Sequence, residues 1–412
     1  MREIKGQYNT AKVFTDNIEE QCVQQVRDVC DMECFKDSKI RIMPDCHMGK
    51  GICIGFTQTL TDKVIPSFVG VDIGCGMLAV RFPKKDVPEI DFEKLDKCIR
   101  DCVPYGRDTH RRPHKKAEGI NLKEIRCPSI DKFNAAKSIG SLGGGNHFIE
   151  VNEETDYFWI VIHTGSRHLG LEIEDYYSNK IHKMTDRKVN RELIEQLKAD
   201  GSVKDIHAEL NRIKAERNKE IQDSKYLTGE WFDDYIHDMG LVQKFAKLNR
   251  ETIFNIISIG MRFPKPDDMY IDTVHNYIDT QNMIVRKGAI SAEDKEMAVI
   301  PINMRDGSLI VIGKGNSDWN YSAPHGAGRI LSRTQAEKVL KLEDFKETMK
   351  DVWSTSVDES TISEAPMAYK PIDEIIENIK GTVDVLSVIK PVYNFKAPED
   401  EKFWKKKTES KA

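Results

Sequence analysis

Three consecutive glycines, Gly143-Gly144-Gly145, run directly into Asn146-His147-Phe148-Ile149-Glu150-Val151. Glycine gives up the most backbone entropy on folding and has no side chain to bury, so a triple glycine implies a backbone that something must approach closely. An amide, an imidazole and a carboxylate follow, spaced through apolar residues. If Asn146 to Val151 is a strand, its period of two sends His147, Ile149 and Val151 to one face and Asn146, Phe148 and Glu150 to the other. One short stretch then serves two neighbouring sites. A glycine turn leading into a strand of ordinary hydrogen-bonded residues is the plain alternative. Recurrence of the pattern argues against it.

Five further glycine-rich or strand-end loops repeat the arrangement. Residues 39–43 and 52–56 read as strands around Pro44-Asp-Cys-His-Met-Gly-Lys-Gly51. Gly70-Val-Asp-Ile-Gly-Cys-Gly76 lies between expected strands at 65–69 and 77–82 and brings Asp72 and Cys75 into one bend. The apolar run 158–162 ends in His163-Thr-Gly-Ser-Arg167, and 269–273 leads into His275-Asn276. His325-Gly-Ala-Gly-Arg329 follows a strand at 309–312. Residues 171–257 are different: rich in Glu, Lys, Leu and Ile, they read as mainly helical. Ser202 and Asp205 resemble a capping box ahead of Val203, Ile206, Leu210 and Ile213 at helical spacing, a stripe that reads as packing surface. A helix is expected from Ile372, and a strand at 385–389 ended by Pro391. The expected fold class is α+β: a single large domain over 1–397, a β-sheet core with glycine-rich active-site loops and a helical insertion at 171–257. The charged residues 398–412 read as a disordered tail.

Composition narrows the partners. With 62 Lys and Arg against 67 Asp and Glu, the net charge of −5 does not draw in a polyanion as a whole. Any nucleic-acid contact must come from a local patch. Arg107 to Lys116, with five cations and one acid, is the natural one, although such runs are more often solvated surface. Nine cysteines without a Cys-x-x-Cys pair, no apolar leader and no membrane-length apolar run point to a cytoplasmic protein with reduced thiols. Gly313-Lys314-Gly315 is too short to be a P-loop, so a nucleotide, if used, is held otherwise.

A lone histidine in any of these loops would more often be structural than a ligand. Asp72 with Cys75, His147, His163, His275 and His325 across five loops is a different matter. A carboxylate, a thiolate and three imidazoles suffice for two metal ions only if one ligand is shared, and a thiolate can bridge. Zinc suits the mixture, while the carboxylate leaves manganese and cobalt open. Arg167 and Arg329, in loops rich in backbone N–H groups, suit oxyanions. Residue chemistry therefore points to a metal-dependent enzyme acting on a phosphate-bearing substrate and leaves the reaction open.

The order and spacing of Pro44 to Gly51, Gly70 to Gly76, Leu142 to Glu150, His163 to Arg167, His275-Asn276 and His325 to Arg329 resemble the RtcB family of RNA ligases over nearly the whole chain. The resemblance implies a GTP- and manganese-dependent ligase acting in RNA repair or tRNA splicing. In such enzymes GTP guanylylates a histidine, GMP passes to an RNA 3′-phosphate, and a 5′-hydroxyl displaces it; a 2′,3′-cyclic phosphate is first opened. It makes His325 the nucleophile and Cys75 a thiolate shared by two Mn²⁺ ions. Asp72 and His147 complete one ion's protein ligands, and His163 and His275 the other's. Asn146, Glu150, Ser308, Tyr369 and Lys396 match positions that hold the guanylate, with Asn276 against the metals. An activating protein is a possible further partner.

Two segments depart from the family pattern. Val285 stands where many members have His, and Asn303-Met-Arg-Asp-Gly307 replaces a more glycine-rich stretch ahead of Ser308. The rival reading is a binuclear metal phosphodiesterase acting on RNA phosphate ends, which would need neither His325 nor the Asn146 and Glu150 face. A metal-binding RNA chaperone without catalysis is the other, and would be credible had one of these ligands been replaced.

Overall fold

The computed structural model describes residues 1–87, 89–181 and 226–398. The capping box at Ser202, its apolar stripe and the tail beyond Pro398 lie outside the described residues.

In chain order the strands are β1 (Arg2–Lys5), β2 (Thr10–Val13), β3 (Ile40–His47), β4 (Ile54–Thr59), β5 (Gly76–Pro83), β6 (Phe148–Glu153), β7 (Tyr157–Thr164) and β8 (Tyr270–Val274). They continue as β9 (Asn276–Asp279), β10 (Ile284–Lys287), β11 (Ala289–Ser291), β12 (Met297–Asn303), β13 (Gly307–Gly313), β14 (Ser322–Pro324) and β15 (Val383–Lys396). Eight α-helices accompany them among the described residues. These are α1 (Glu20–Cys30), α2 (Phe92–Cys102), α3 (Lys132–Ser138), α4 (167–181), α5 (Glu230–Met261), α6 (Arg333–Val339), α7 (Leu342–Thr348) and α8 (Ile372–Ile379).

Seven strands form one sheet in the order β12-β13-β15-β6-β7-β5-β8. Its two edges meet, since the Val299 N–H of β12 donates to Thr273 Oγ1 of β8 at 3.0 Å. The sheet is therefore nearly closed, and Met77, Ala79, Trp159, Val161, Ile271, Val299 and Ile310 fill one core cluster along it. Alternate residues of the same strands, among them Leu78, Val80, Ile149, Val151, Ile160 and Ile162, pack instead with Ile253 and Ile257 of α5. This is the period of two put to use: one face lines the inside, the other receives the helix. A second sheet, β1-β2-β3-β4-β10-β9, packs on α1 and on the first half of α5 through Val23, Val26, Ile42, Phe56, Met239 and Val242. Burial on this scale, at about 25 cal/mol per Å² of apolar surface, is what holds the sheets and α5 together.

Some local expectations differ from the fold. Residues 65–69 form a 3-10 turn at Pro66–Phe68, where Pro66 at the first position favours the turn. β3 continues through Pro44 to His47, and its register with β4 shifts between Ile42 and His47. β15 does not stop at Pro391: the register shifts between Pro391 and Tyr393, a bulge at which a missing N–H is tolerated. Asn146 and His147 precede β6 in a turn, yet alternation of sides already begins there.

Candidate active site

Strand register brings the loop residues together. Gly76, the first residue of β5, pairs with Thr164 at the end of β7 and with Val274 at the end of β8. Phe148, the first residue of β6, pairs with His163. Cys75, His147, His163 and His275 therefore emerge at one end of the nearly closed sheet. Cys75 Sγ lies 3.4 Å from Nε2 of both His147 and His163. His163 Nε2 is 3.1 Å from His275 Nε2, and His147 Nε2 is 3.1 Å from Asp72 Oδ2. The result is two overlapping sets, Asp72-Cys75-His147 and Cys75-His163-His275, joined at the sulfur.

The surroundings fix which atoms face inward. His147 Nδ1 donates to the Leu142 carbonyl at 2.9 Å and His163 Nδ1 to that of Asn146 at 3.0 Å, which leaves both Nε2 lone pairs toward the centre. Lone pairs facing one another at 3.1–3.4 Å repel unless a proton or a cation lies among them. Burial drives the His163 and His275 imidazoles well below their ordinary pKa, so protons are disfavoured and cations suit the donor set. Burial opposes ionisation of Asp72, but a proton on His147 Nε2, 3.1 Å away, would outweigh it and hold the carboxyl at about 2, and a cation among the lone pairs takes the place of that proton. Burial and the adjoining Asp72 push the Cys75 thiol up; a coordinating cation reverses this by taking the place of the proton.

Two of the glycines are needed for contact. Gly143 sits at φ +95°, and a Cβ there would lie 2.2 Å from Arg167 Nη1 and 2.5 Å from His147 Nδ1. A Cβ on Gly165 would lie 2.2 Å from Asp72 Oδ1. Both close approaches are to groups of the cluster or its supports.

α5 contributes supports with no signature in the sequence. Asn249 Oδ1 accepts from the Gly140 and Ser141 amides at 2.7 and 3.1 Å, and its Nδ2 donates to the Ser141 and Gly165 carbonyls, each at 3.0 Å. Arg250, fully buried, binds Asp272 at 2.6 Å and donates to the Gly74 and Thr164 carbonyls at 2.8 and 3.0 Å. Neighbouring residues of one helix thus hold the loops carrying Cys75, His147 and His163.

His325 stands beside the cluster, its ring centroid 4.7 Å from that of His275. Its Nδ1 donates to Oδ2 of Asp45 at 2.7 Å. His325 and His275 both border a cavity of about 490 Å³, a size that accommodates a nucleotide, with Asp45 buried behind His325. Asn146, Glu150, Tyr369 and Lys396 line this cavity with His163 and His275, whereas His147 points to the other side of the turn. Ser308 is fully buried behind the lining residue Gly307, and its Oγ has no partner among the described residues. Asn276 lines the cavity and donates from Nδ2 to the Asp72 carbonyl at 3.3 Å.

At the far wall Glu364 gathers four donors: Tyr369 Oη at 2.6 Å, Arg333 Nε at 3.0 Å, Arg329 Nη1 at 3.2 Å and Lys396 Nζ at 3.3 Å. Burial would raise its pKa, but Lys396 and the two arginines overcome that and keep the carboxylate ionised. Three cations against one anion leave this wall positive. Among the described residues Glu150 receives only the Asn394 and Asn152 amides, at 2.7 and 3.3 Å, and burial raises its carboxyl to about 7. Asp45 and Glu364 are the residues sequence reasoning missed. Asp45 stands in the Pro44–Gly51 motif, whereas nothing in the sequence around Glu364 marks it.

A donor cluster suited to cations, a carboxylate-oriented imidazole and a positive cavity of nucleotide size are together what a metal-assisted phosphoryl-transfer enzyme requires. Comparison with known proteins gives the particular family. The family model described as tRNA-splicing ligase RtcB matches residues 25–132 and 114–397. The RNA-splicing ligase RtcB of Escherichia coli strain K12 is 31% identical over 411 residues, covering 91% of this chain and 94% of the relative. The tRNA-splicing ligases RtcB of Methanococcus maripaludis and Nanoarchaeum equitans are 25% and 26% identical, with 90% or 91% of each chain covered. The chain belongs to the RtcB family of RNA ligases. Among the described residues, no helix is long and apolar enough to cross a membrane.

Proposed function

We propose that this RNA ligase uses GTP and two Mn²⁺ ions to join RNA 3′-phosphate or 2′,3′-cyclic phosphate ends to 5′-hydroxyl ends through guanylylated His325. The observation that carries the reading is the hydrogen bond of His325 Nδ1 to buried Asp45, in a ring that lies against the cluster and borders the cavity. Asp45 keeps the proton on Nδ1 and so leaves the Nε2 lone pair free as a nucleophile. The ions, held by Asp72, Cys75 and His147 and by Cys75, His163 and His275, would supply Lewis-acid neutralisation of phosphate charge when bound.

His325 Nε2 attacks the α-phosphorus of GTP, forming an N–P bond while the bond to pyrophosphate breaks. An RNA 3′-phosphate oxygen then attacks the same phosphorus, and the N–P bond breaks to give RNA capped by GMP. The 5′-hydroxyl oxygen finally attacks the RNA phosphate, loses its proton and expels GMP. Cyclic ends enter after water has opened them to a 3′-phosphate. Asn146, Glu150, Ser308, Tyr369 and Lys396 hold the guanylate, with the carboxylate of Glu150 suited to the guanine N–H edge. The domain runs over 1–397, and the family's tRNA-splicing members make cleaved tRNA or other damaged RNA the substrate class. The all-free cysteines of the described chain favour the cytoplasm, and an activating protein is a further partner of this reading.

The test is incubation with Mn²⁺ and α-labelled GTP. A covalent, acid-labile label that disappears in His325→Ala is expected, and that variant should still seal RNA already carrying a 3′-guanylyl cap. Label retained in His325→Ala would remove the assignment.

A further inference from the structure

Asp45 orients two imidazoles, not one. Its carboxylate accepts from His325 Nδ1 at 2.7 Å, and its main-chain carbonyl accepts from His47 Nδ1 at 2.9 Å. His47 lines the same cavity as His325, Glu150, Tyr369 and Lys396. With its one N–H committed to the Asp45 carbonyl, the neutral ring presents Nε2 as a bare acceptor, and that atom has no hydrogen-bond partner among the described residues. Burial, with the Arg329 charge adding to it, lowers the His47 pKa, so the ring stays neutral.

A bare acceptor in a nucleotide cavity needs a donor on the ligand. The triphosphate of GTP offers none when ionised. The guanine edge offers N–H donors, for which Glu150 is the acceptor, since Glu364 is already saturated by four protein donors. Apart from the second N2–H, at the far edge of the base from the α-phosphate, the remaining donors are the two ribose hydroxyls. The ribose also lies between the α-phosphate, which His325 must reach, and the base, so a group hung from the same aspartate as His325 is placed for it.

We infer that His47 accepts a hydrogen bond from a ribose hydroxyl of the bound guanosine nucleotide and selects ribonucleotides over deoxyribonucleotides. This rests on the reading of the cavity as the GTP site. It makes His47 a specificity residue for the nucleotide, distinct from the nucleophile.

The experiment is a ligand–protein cycle. Binding of GTP, 2′-deoxy-GTP and 3′-deoxy-GTP is measured by competition against labelled GTP on His325→Ala protein with Mn²⁺, where no reaction follows. Rates of covalent labelling are measured on the protein with His325 intact. One deoxynucleotide should bind about 3- to 10-fold more weakly than GTP, the range for one neutral hydrogen bond. Adding His47→Ala should weaken GTP by the same factor and abolish discrimination against that analogue. His47→Gln, whose side-chain carbonyl can accept, should restore part of it. Discrimination undiminished in His47→Ala, or none in the parent, would overturn the inference. So would labelling lost with all three nucleotides while their binding is unchanged, since His47 would then act on the chemistry. If His47→Ala misfolds, as judged by metal content and thermal melting, His47→Gln alone decides: unchanged discrimination with unchanged GTP affinity overturns the proposal. Failure of the intact protein to take up label at all would instead overturn the GTP reading, so the two failures are distinguishable.

Discussion

Asp45 and His325 are 280 residues apart in sequence and 2.7 Å apart in space, with the Asp45 side chain fully buried. A buried carboxylate that accepts from Nδ1 sets the tautomer, and the tautomer decides whether Nε2 can attack. Asp45→Asn keeps the shape but can donate its amide N–H to Nδ1, which moves the proton to Nε2. Guanylylation in single-turnover labelling should fall by about 10²–10⁴-fold. Sealing of pre-capped RNA should fall far less, and equal loss in both assays would show that Asp45 acts beyond the nucleophile.

Cys75 is common to both ligand sets, and the other cysteines are not. Cys53 is buried in the apolar core, and Cys98 packs beneath Gly260. Cys75→Ala should lower manganese content and abolish both guanylylation and the sealing of pre-capped RNA. Cys53→Ala and Cys98→Ala should retain metal and both activities. Full metal occupancy with normal sealing in Cys75→Ala would sink the shared-thiolate arrangement.

Glu150 links nucleotide binding to pH. Burial raises its carboxyl to about 7 from an ordinary value of 4.5. A folded-state value above the unfolded one means that the folded protein holds the proton longer, so this group favours folding at low pH. That contribution is lost as pH rises from about 4.5 through 7, a swing on the order of 3 kcal/mol. Glu150→Gln should therefore melt higher than the parent at pH 8 and lose that advantage at pH 4.5. Ionised Glu150 is the form that accepts from guanine, so GTP affinity in the parent should weaken below pH 7 and flatten in the variant. A parent whose GTP affinity is independent of pH between 6 and 8 would contradict this role.

The ends that are joined provide an independent check. Ligation should require a 3′-phosphate or 2′,3′-cyclic phosphate with a 5′-hydroxyl, because guanylate transfer needs a phosphate acceptor and sealing needs a free nucleophile. Gel assays on the four pairings of end groups measure it directly. Efficient joining of a 3′-hydroxyl to a 5′-phosphate would refute the scheme.

The sequence by itself determined the local chemistry of this protein. Periodicity marked the strands that carry His163 and His275, and glycine runs marked the bends of Cys75 and His147, because both signals arise from neighbours along the chain. The two sides of the Asn146–Glu150 stretch follow from backbone alternation alone, which is why that expectation survives although β6 begins only at Phe148. Only the tertiary structure decided what meets what. The register of β5 with β7 and β8 converges the ligands, and a bulge lets β15 pass Pro391 to deliver Lys396 to the cavity. The buried groups that brace the site, Asp45, Asn249, Arg250 and Glu364, find most of their partners far away in sequence, although Glu364 also meets Tyr369 five residues on. Their side chains are ordinary surface types, and burial of such a group becomes tolerable only once distant donors and acceptors satisfy it. No window of sequence contains that information.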